Sequence, residues 1–503
     1  MSRARRRLCA AGLVVALGWT GCAGEDERDG SARDGGSIAV GAETVPTTLD
    51  PALADDVREL QVLRLVHTPL LTYPHEGGKE GVEPVPGLAR ARPRVSYDGL
   101  TYTLRLRSGL RYSNGVPVRA GDFERAIERV RALGSPLAPL YAGIVSIDAD
   151  ARTGLIRLKL RRSDPALLQV LALPSSAPLP RGTPVRDLSR RPPAGAGAYR
   201  IERTRRRDRV VLTRWHSAVA PDGTDGHADR IAIVRAGPPA AQSRAVLAGT
   251  LDVMQTTPEP VGLLPELRSV RKDRYREEIT TATVALVPDT EAPPLYDPGV
   301  RRAIAQALDP ATLTRLYRGQ LEPSCNVLPP VVDGFRTLDP CPYGDRSEPA
   351  DLPAAREAIE EAAPAVASVS VESADGVPAP VVRYVASTLR KIGLVASVGG
   401  RGARLRVERI APLAAHPAAY LERFHSARDL ALSNELTRAA RAISREDAAD
   451  AWAAADERVV TEAFATPLGY ERAPVLLAER MDSDNCEVVH PVFGLDLATL
   501  CLR

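Results

Sequence analysis

VPGLARARPRVSYDGLTYTLRLRSGLRYSNGVPVRAGDFERAIERV, residues 85–130, is the stretch on which the fold turns. Within it, TYTLRLR (101–107) alternates Tyr102, Leu104 and Leu106 with polar neighbours, the period of a half-buried strand. Asp98-Gly99 just before it makes a hairpin turn, because glycine accepts positive φ and aspartate bonds nearby backbone. Gly109 and Gly115 supply two more tight turns. RAGDFERAIERVRAL then sets Phe123, Ile127 and Val130 on one helix face, with Asp122 placed to begin the helix.

Outward from this block the alternation recurs. GLIRLKLR (154–161) puts Ile156, Leu158 and Leu160 on one side and Arg157, Lys159 and Arg161 on the other. RVVLTR (209–214) and RIAIVR (230–235) read as further strands. SIAVGAET (37–44) reads as a short buried strand leading into a Pro/Thr loop, VPTTLDPALADD. In VRELQVLRLVHTPLL, Leu60, Leu63, Val66 and Leu70 stand near helical spacing. The second half is richer in helices. Asp309-Pro310 is an N-cap followed by an N1 proline. LPAAREAIEEAA, VVRYVASTLRKIG and SREDAADAWAAADERVVTEAFA are amphipathic or Ala-rich, with VASVSVES and LVASVGG as short strands between them. No repeat is visible. The class is mixed α/β.

Composition narrows the function. With 44% hydrophobic and 26% charged residues, the 503-residue chain is neither disordered nor membrane-embedded, and its length suggests two to four domains. Its formal charge of +3 falls to −1 once Arg3, Arg5, Arg6 and Arg7 are set aside with the leader. A near-neutral chain argues against a nucleic-acid partner. Aromatic residues make up only 4%, so a stacking platform is poorly supplied.

The first 22 residues, MSRARRRLCAAGLVVALGWTGC, have a basic leader, a short apolar stretch from Leu8 to Trp19, and small residues before Cys22. That is the form of an export signal over 1–21. The apolar run is too short to span a hydrocarbon core, which needs about 20 residues. Gly21-Cys22 resembles the bacterial lipobox, in which the cysteine is acylated and becomes the mature N-terminus, although Trp19 stands where leucine is usual. Ordinary cleavage leaving Cys22 as a free thiol is the alternative. Residues 22–36 follow as lipidated cysteine and flexible tether, which would hold the protein at the extracytoplasmic side of the cell membrane.

Export permits disulfides. Beyond Cys9 and Cys22, the remaining cysteines fall as two local pairs, Cys325/Cys341 and Cys486/Cys501. Four cysteines allow three connectivities, and proximity favours the two local loops. Metal ligation competes, but tetrahedral sites usually show Cys-x2–4-Cys spacing, so structural disulfides are the better reading.

No G-x-S-x-G elbow, H-E-x-x-H helix or phosphate-binding Gly-rich loop is present. His75-Glu76 is followed by Gly-Gly, and the seven histidines are scattered. The pairs Asp55-Asp56 and Glu360-Glu361 read as solvated acids, and RTRRRDR (203–209) as a solvated turn before a strand. No catalytic residue, metal site or cofactor is expected.

In this order and spacing the motifs resemble family 5 extracellular solute-binding proteins of ABC transporters, the peptide- and nickel-binding class. The block 85–130 is similar to the family's proline-introduced "LA", "DG-x-TYT" strand, "LR-x-G" turn and "G-x-PV-x-A-x-D" helix start. GAGAYRI (195–201), VLAGTLDV (246–253) and VRRAIAQALDPATLTRLYRGQLEPSCNVLPP (300–330) resemble its "GTGPY" turn, its "aGe-DV" helix end and its "VR-A-A-D" helix with Pro-Pro.

The resemblance implies a two-lobed periplasmic-binding-protein-like α/β fold, class II, with a cleft between lobes. Lobe I would take 37–275 plus the returning tail 478–503, and lobe II 276–477. The implied function is the substrate-binding component of an ABC importer. It would be a monomer that captures a peptide or other small organic solute and delivers it to a permease. The alternative is a lipoprotein of the same fold without a transport role, acting as a sensor partner or envelope interaction module.

The family's cleft segments correspond to the loop Glu43–Leu49, including Thr47, and to Ile410–His416. Peptide-binding relatives carry a Trp and an Asp there, the Asp pairing with the peptide's α-ammonium. In VERIAPLAAHPAAYLERF (407–424) those positions hold Ile410 and Leu413. A buried ammonium without a carboxylate costs several kcal/mol. The ligand is therefore expected to lack a free α-ammonium or to present it elsewhere, with Glu43 the nearest acid. His416 offers a polar alternative, also metal-related in character.

Overall fold

A computed structural model describes residues 34–202, 208–215, 226–254, 267–269, 274–362, 368–374, 376–400, 403–425, 429–442, 444–486 and 489–503. The leader, Cys22, nearly all of the tether and most of RTRRRDR lie outside the described residues.

The block 85–130 folds as its pattern predicts. Arg94–Val95 pairs antiparallel with Thr101–Arg105 across the Asp98-Gly99 turn, where Gly99 has φ 69° and Asp98 Oδ1 accepts from Leu100 N–H at 3.0 Å. Leu155–Leu160 and then Ile144–Asp150 complete a four-stranded sheet. The helix Ala120–Ala132 lies over it, burying Phe123, Ile127 and Val130. Asp122 is the third residue of that helix rather than its cap; its carboxylate closes the first turn by accepting from Arg119 N–H at 2.8 Å.

Among the described residues the main sheet has 11 strands. One flank is built from Tyr199–Ile201, Arg209–Arg214, Arg230–Arg235, Ser37–Ala42 and Val253–Met254. Ser37–Ala42 runs parallel to both of its neighbours and is buried at most positions, as expected for a strand covered on both faces. The other flank holds Ala403–Ile410, Ser368–Ser373 and Val395–Val398, covered by helices such as Ala379–Lys391. Two long antiparallel strands, Tyr275–Pro288 and Thr466–Leu477, run through both flanks. Their pairing is broken twice, the second time where Val284 pairs with Gly469 and Ala285 with Pro467; the first break is the larger. Ile279 pairs with Arg472 and Thr283 with Tyr470, so Thr280, Thr281 and Ala282 all face Glu471. This β-bulge marks the passage from one flank to the other.

Each flank has its own apolar core, one around Val40, Ile231 and Leu476, the other around Leu286, Val385 and Leu389. A third, larger core joins the four-stranded sheet to segments near Tyr420 and Trp452. Gly195 and Gly197 explain the GAGAY turn. A Cβ at either would lie 1.8 Å from Val66 O or 2.3 Å from Leu65 O, so only glycine lets this turn pass against the helix Val57–Val66. Cys325–Cys341 and Cys486–Cys501 are joined as disulfides, with Cα separations of 5.9 and 6.3 Å.

His67, just past that helix, is fully buried, and neither ring nitrogen has a partner among the described residues. Burial pushes its pKa from 6.5 down to about 4; the Asp50 charge opposes this and Arg129 adds to it. The folded chain therefore keeps the ring neutral while the unfolded chain takes up a proton below 6.5. The stability this residue allows is full above pH 6.5 and is lost as pH falls towards 4, by about 3 kcal/mol. The variant His67→Leu lacks that proton. In urea unfolding, the stability of the wild type relative to this variant should fall by about 2–3 kcal/mol between pH 7 and pH 4.5. A constant difference would remove His67 from the acid response.

Candidate functional site

A cavity of about 280 Å³ opens beside the bulge. The start of the helix Val57–Val66 forms one wall, with Asp56, Arg58 and Gln61. Ala411, Pro412 and Leu413 form another, Pro491 to Gly494 a third, and Thr280, Thr281, Tyr317, Glu471 and Arg472 the floor. These walls come from both flanks, which among the described residues only the two long strands link in the sheet.

Elementary capping chemistry fixes the first wall. Asp56 is the N-cap of Val57–Val66, its Oδ1 accepting from Arg58 N–H at 2.8 Å, and the Arg58 guanidinium closes back on the same carboxylate. Burial works to raise the Asp56 pKa, but the bonds and charge of Arg58 outweigh it and hold the carboxyl below its usual value. The bulge is pinned from both sides: Thr281 N–H donates to Pro491 O at 3.0 Å and Tyr420 O–H to Thr281 O at 2.6 Å.

Glu471 is 8% exposed. Its Oε2 accepts from Arg409 Nε at 2.6 Å, whereas Oε1 has no hydrogen-bond partner among the described residues. Burial pushes its pKa up, with Arg409 pulling the other way. The hydroxyl of Tyr317, 2% exposed, also has no partner among the described residues. Arg472 is engaged with Glu322 at 2.5 Å.

A wider groove of about 1070 Å³ lies on the other side of the segment Ala411–Ala415, between residues 139–170 and 414–441. Leu413 faces the smaller cavity and Ala414 the groove, so this segment is the partition. Tyr73 holds it from the first half of the chain, its hydroxyl donating to Leu413 O at 3.3 Å and accepting from Ala415 N–H at 3.1 Å.

The residues expected at the site are dispersed. Leu413 lines the cavity. Ile410, 3% exposed, packs in the large core, and His416 caps the helix Pro417–Leu421 and stacks edge-on against Trp452 at 5.7 Å. Burial pushes the His416 pKa down to about 4. Glu43 and Thr47 are exposed; Thr47 Oγ1 donates to Glu59 at 2.7 Å, and Leu49 packs against the first-flank core. Sequence reasoning missed Tyr317, Arg409 and Glu471, and read Asp55-Asp56 as merely solvated. Tyr317 stands inside a quoted motif, but nothing in the pattern around Glu471 distinguishes it.

Among the described residues no cluster of three or more His, Cys, Asp or Glu side chains could hold a metal, and no helix is long and apolar enough to cross a membrane.

Residues 83–405 match the sequence profile of the bacterial extracellular solute-binding proteins, family 5. The chain belongs to this family. Among relatives of this solute-binding protein is the oligopeptide-binding protein OppA of Bacillus subtilis, 25% identical over 376 residues, 69% of this chain and 65% of OppA. The glutathione-binding protein GsiB of Escherichia coli K12 is 24% identical over 335 residues, 65% of this chain and 60% of GsiB. The chain thus spans somewhat less than two thirds of the length of these relatives.

Solved structures agree on the fold. Clavulanic acid biosynthesis oligopeptide binding protein 2 has a TM-score of 0.81 at 22% identity, covering 94% of this chain and 96% of that one. The periplasmic murein tripeptide binding protein MppA, in its unliganded open form, has a TM-score of 0.75 at 17% identity, covering 94% and 98%. The solute-binding protein therefore has the two-lobed periplasmic-binding fold with a cleft between lobes.

Proposed function

We propose that this protein is the substrate-binding component of an ABC importer, taking a peptide or other small organic solute outside the membrane and presenting it to a permease. The observation that carries this reading is the cavity at the bulge, whose walls come from both flanks. A solute seated there touches both lobes at once, so its binding energy favours the closed arrangement over the open one. That difference is the signal a permease reads. OppA and GsiB, named for oligopeptide and glutathione binding, support a peptide-like solute.

The lobes are proposed as 37–275 with 478–503, and 276–477. Export through the signal at 1–21, anchoring through Cys22 and a monomeric state complete the proposal. The polar groups of the cavity suit binding rather than turnover, and no catalytic role is assigned to them.

Binding is tested by thermal or chemical unfolding with pools of short peptides. A solute at about 100 times its dissociation constant should stabilise the protein by ~2.7 kcal/mol. Peptide, metabolite and metal pools that all leave stability unchanged would overturn the importer reading.

A further inference from the structure

Glu471 is an unusual residue to find where it lies. A carboxylate buried in the middle of a sheet is expected to have both oxygens engaged, since an unmet charged acceptor loses its hydration with nothing in return. Here only Oε2 is engaged, by Arg409. The local backbone shows why Oε1 is left over. The bulge sets Thr280, Thr281 and Ala282 against this one residue, which interrupts the ladder and opens space beside it. Tyr317 lines the same cavity, and its hydroxyl too has no partner among the described residues.

We propose that Glu471 Oε1 and Tyr317 Oη together form the seat for a primary ammonium group of the solute. This deepens the importer reading and rests on it. An ammonium has three N–H donors and no acceptor, so it satisfies a carboxylate oxygen and a phenolic oxygen at once. A hydroxyl could donate to Oε1 and accept from the Tyr317 O–H, but it would bring no positive charge to the carboxylate, which only Arg409 engages among the described residues. An anion is disfavoured by Glu471 and finds Arg58, Arg409 and Arg472 already ion-paired with Asp56, Glu471 and Glu322, with Arg472 Nε the one buried donor of the three in this cavity that has no partner among the described residues. The apolar partition at Leu413 would then be no obstacle to an amine-bearing solute, because the carboxylate is supplied from the strand Thr466–Leu477 instead. The volume of about 280 Å³ fits the amino end of a small solute rather than a long peptide enclosed whole.

The test uses the full chain and a pool of synthetic di- to pentapeptides, offered with free amines and after N-acetylation, with unfolding temperature as the readout. The free pool should raise that temperature and the acetylated pool should not. Glu471→Gln, which keeps the shape and removes the charge, should abolish the rise, and Tyr317→Phe should weaken binding at least tenfold. If both pools stabilise equally, the importer reading stands and the ammonium seat is overturned. Loss of the preference on Glu43→Gln, with Glu471→Gln unaffected, would move the amine to the Glu43 loop and overturn it as well. If neither pool binds, the peptide reading fails, and ethanolamine, putrescine and glycinamide are compared with ethylene glycol, butanediol and glycolamide. An amine that binds wild type but not Glu471→Gln upholds the seat; no amine binding overturns it. Should Glu471→Gln fail to fold, the Tyr317→Phe result decides alone.

Discussion

Arg129→Met should lower the stability of the folded chain by about 3–5 kcal/mol, one of the largest effects expected from a single change here. Arg129 is 3% exposed and grips Asp50, fully buried, with both terminal nitrogens at 2.7 and 2.6 Å. Its Nε also donates to Pro184 O at 2.9 Å and a terminal nitrogen to Arg186 O at 2.6 Å. The pair thus ties the helix Ala120–Ala132 to the loop after Ser37–Ala42 and to the 184–188 connection. Removing the arginine leaves the Asp50 carboxylate without its cation in a buried site. Removing both charges should recover only part of the loss, because Ala52 N–H and Leu188 N–H also depend on Asp50, at 3.0 and 2.8 Å. Urea unfolding of Arg129→Met and of the double variant Asp50→Leu/Arg129→Met measures both quantities. A loss below about 1 kcal/mol would mean that Asp50 is fully served by backbone donors.

A second large effect is expected at Asp456, on the helix Arg445–Thr461. Its fully buried carboxylate accepts from Asn326 Nδ2 at 2.9 Å, Val327 N–H at 3.0 Å and Leu328 N–H at 3.4 Å. These donors belong to the loop that Cys325–Cys341 closes. The side chain therefore holds that loop against the helix where the disulfide alone would only shorten it. Asp456→Ala orphans all three donors and should cost at least about 3 kcal/mol, at 1–3 kcal/mol for each unmet buried group. Asp456→Asn retains one carbonyl oxygen for the Val327 N–H but faces the Asn326 amide with a second donor, so its cost should be smaller. Equal losses for the two variants would show that charge, not hydrogen bonding, is what the loop needs.

How much of this was legible in sequence follows from burial. Strands with one wet face announced themselves: Thr101–Arg105 and Leu155–Leu160 alternate because only one side is covered. The strands at the centre of the main sheet did not. Thr466–Leu477 is buried at all but one position, so no alternation survives to be read. Tyr275–Pro288 is broken by the bulge, which resets its period. The paired cysteines were readable because their partners are close in sequence. The site was legible only as far as Leu413, whose place came from family resemblance. Glu471 and Tyr317 are 154 residues apart and meet at the bulge, where Leu321, just after Tyr317, pairs with Glu471. Neither carries a local signal, since a Tyr after a helix and a Glu within a strand are ordinary until the cavity between them is seen.

The order of the main sheet also sets a schedule for the chain. Val253–Met254 has Thr466–Leu477 as its neighbour, and the first-flank core takes Val475, Leu476, Met481 and Leu500 from the last segment of the polypeptide. A chain emerging from its N-terminus therefore carries an open sheet edge and an incomplete core until almost all of it has been made. Such long-range closure is slow and gives partial chains little reason to lock shut. The first-flank core is therefore complete only when about the last thirty residues arrive, whereas the core around Leu286, Val385 and Leu389 draws on none of them.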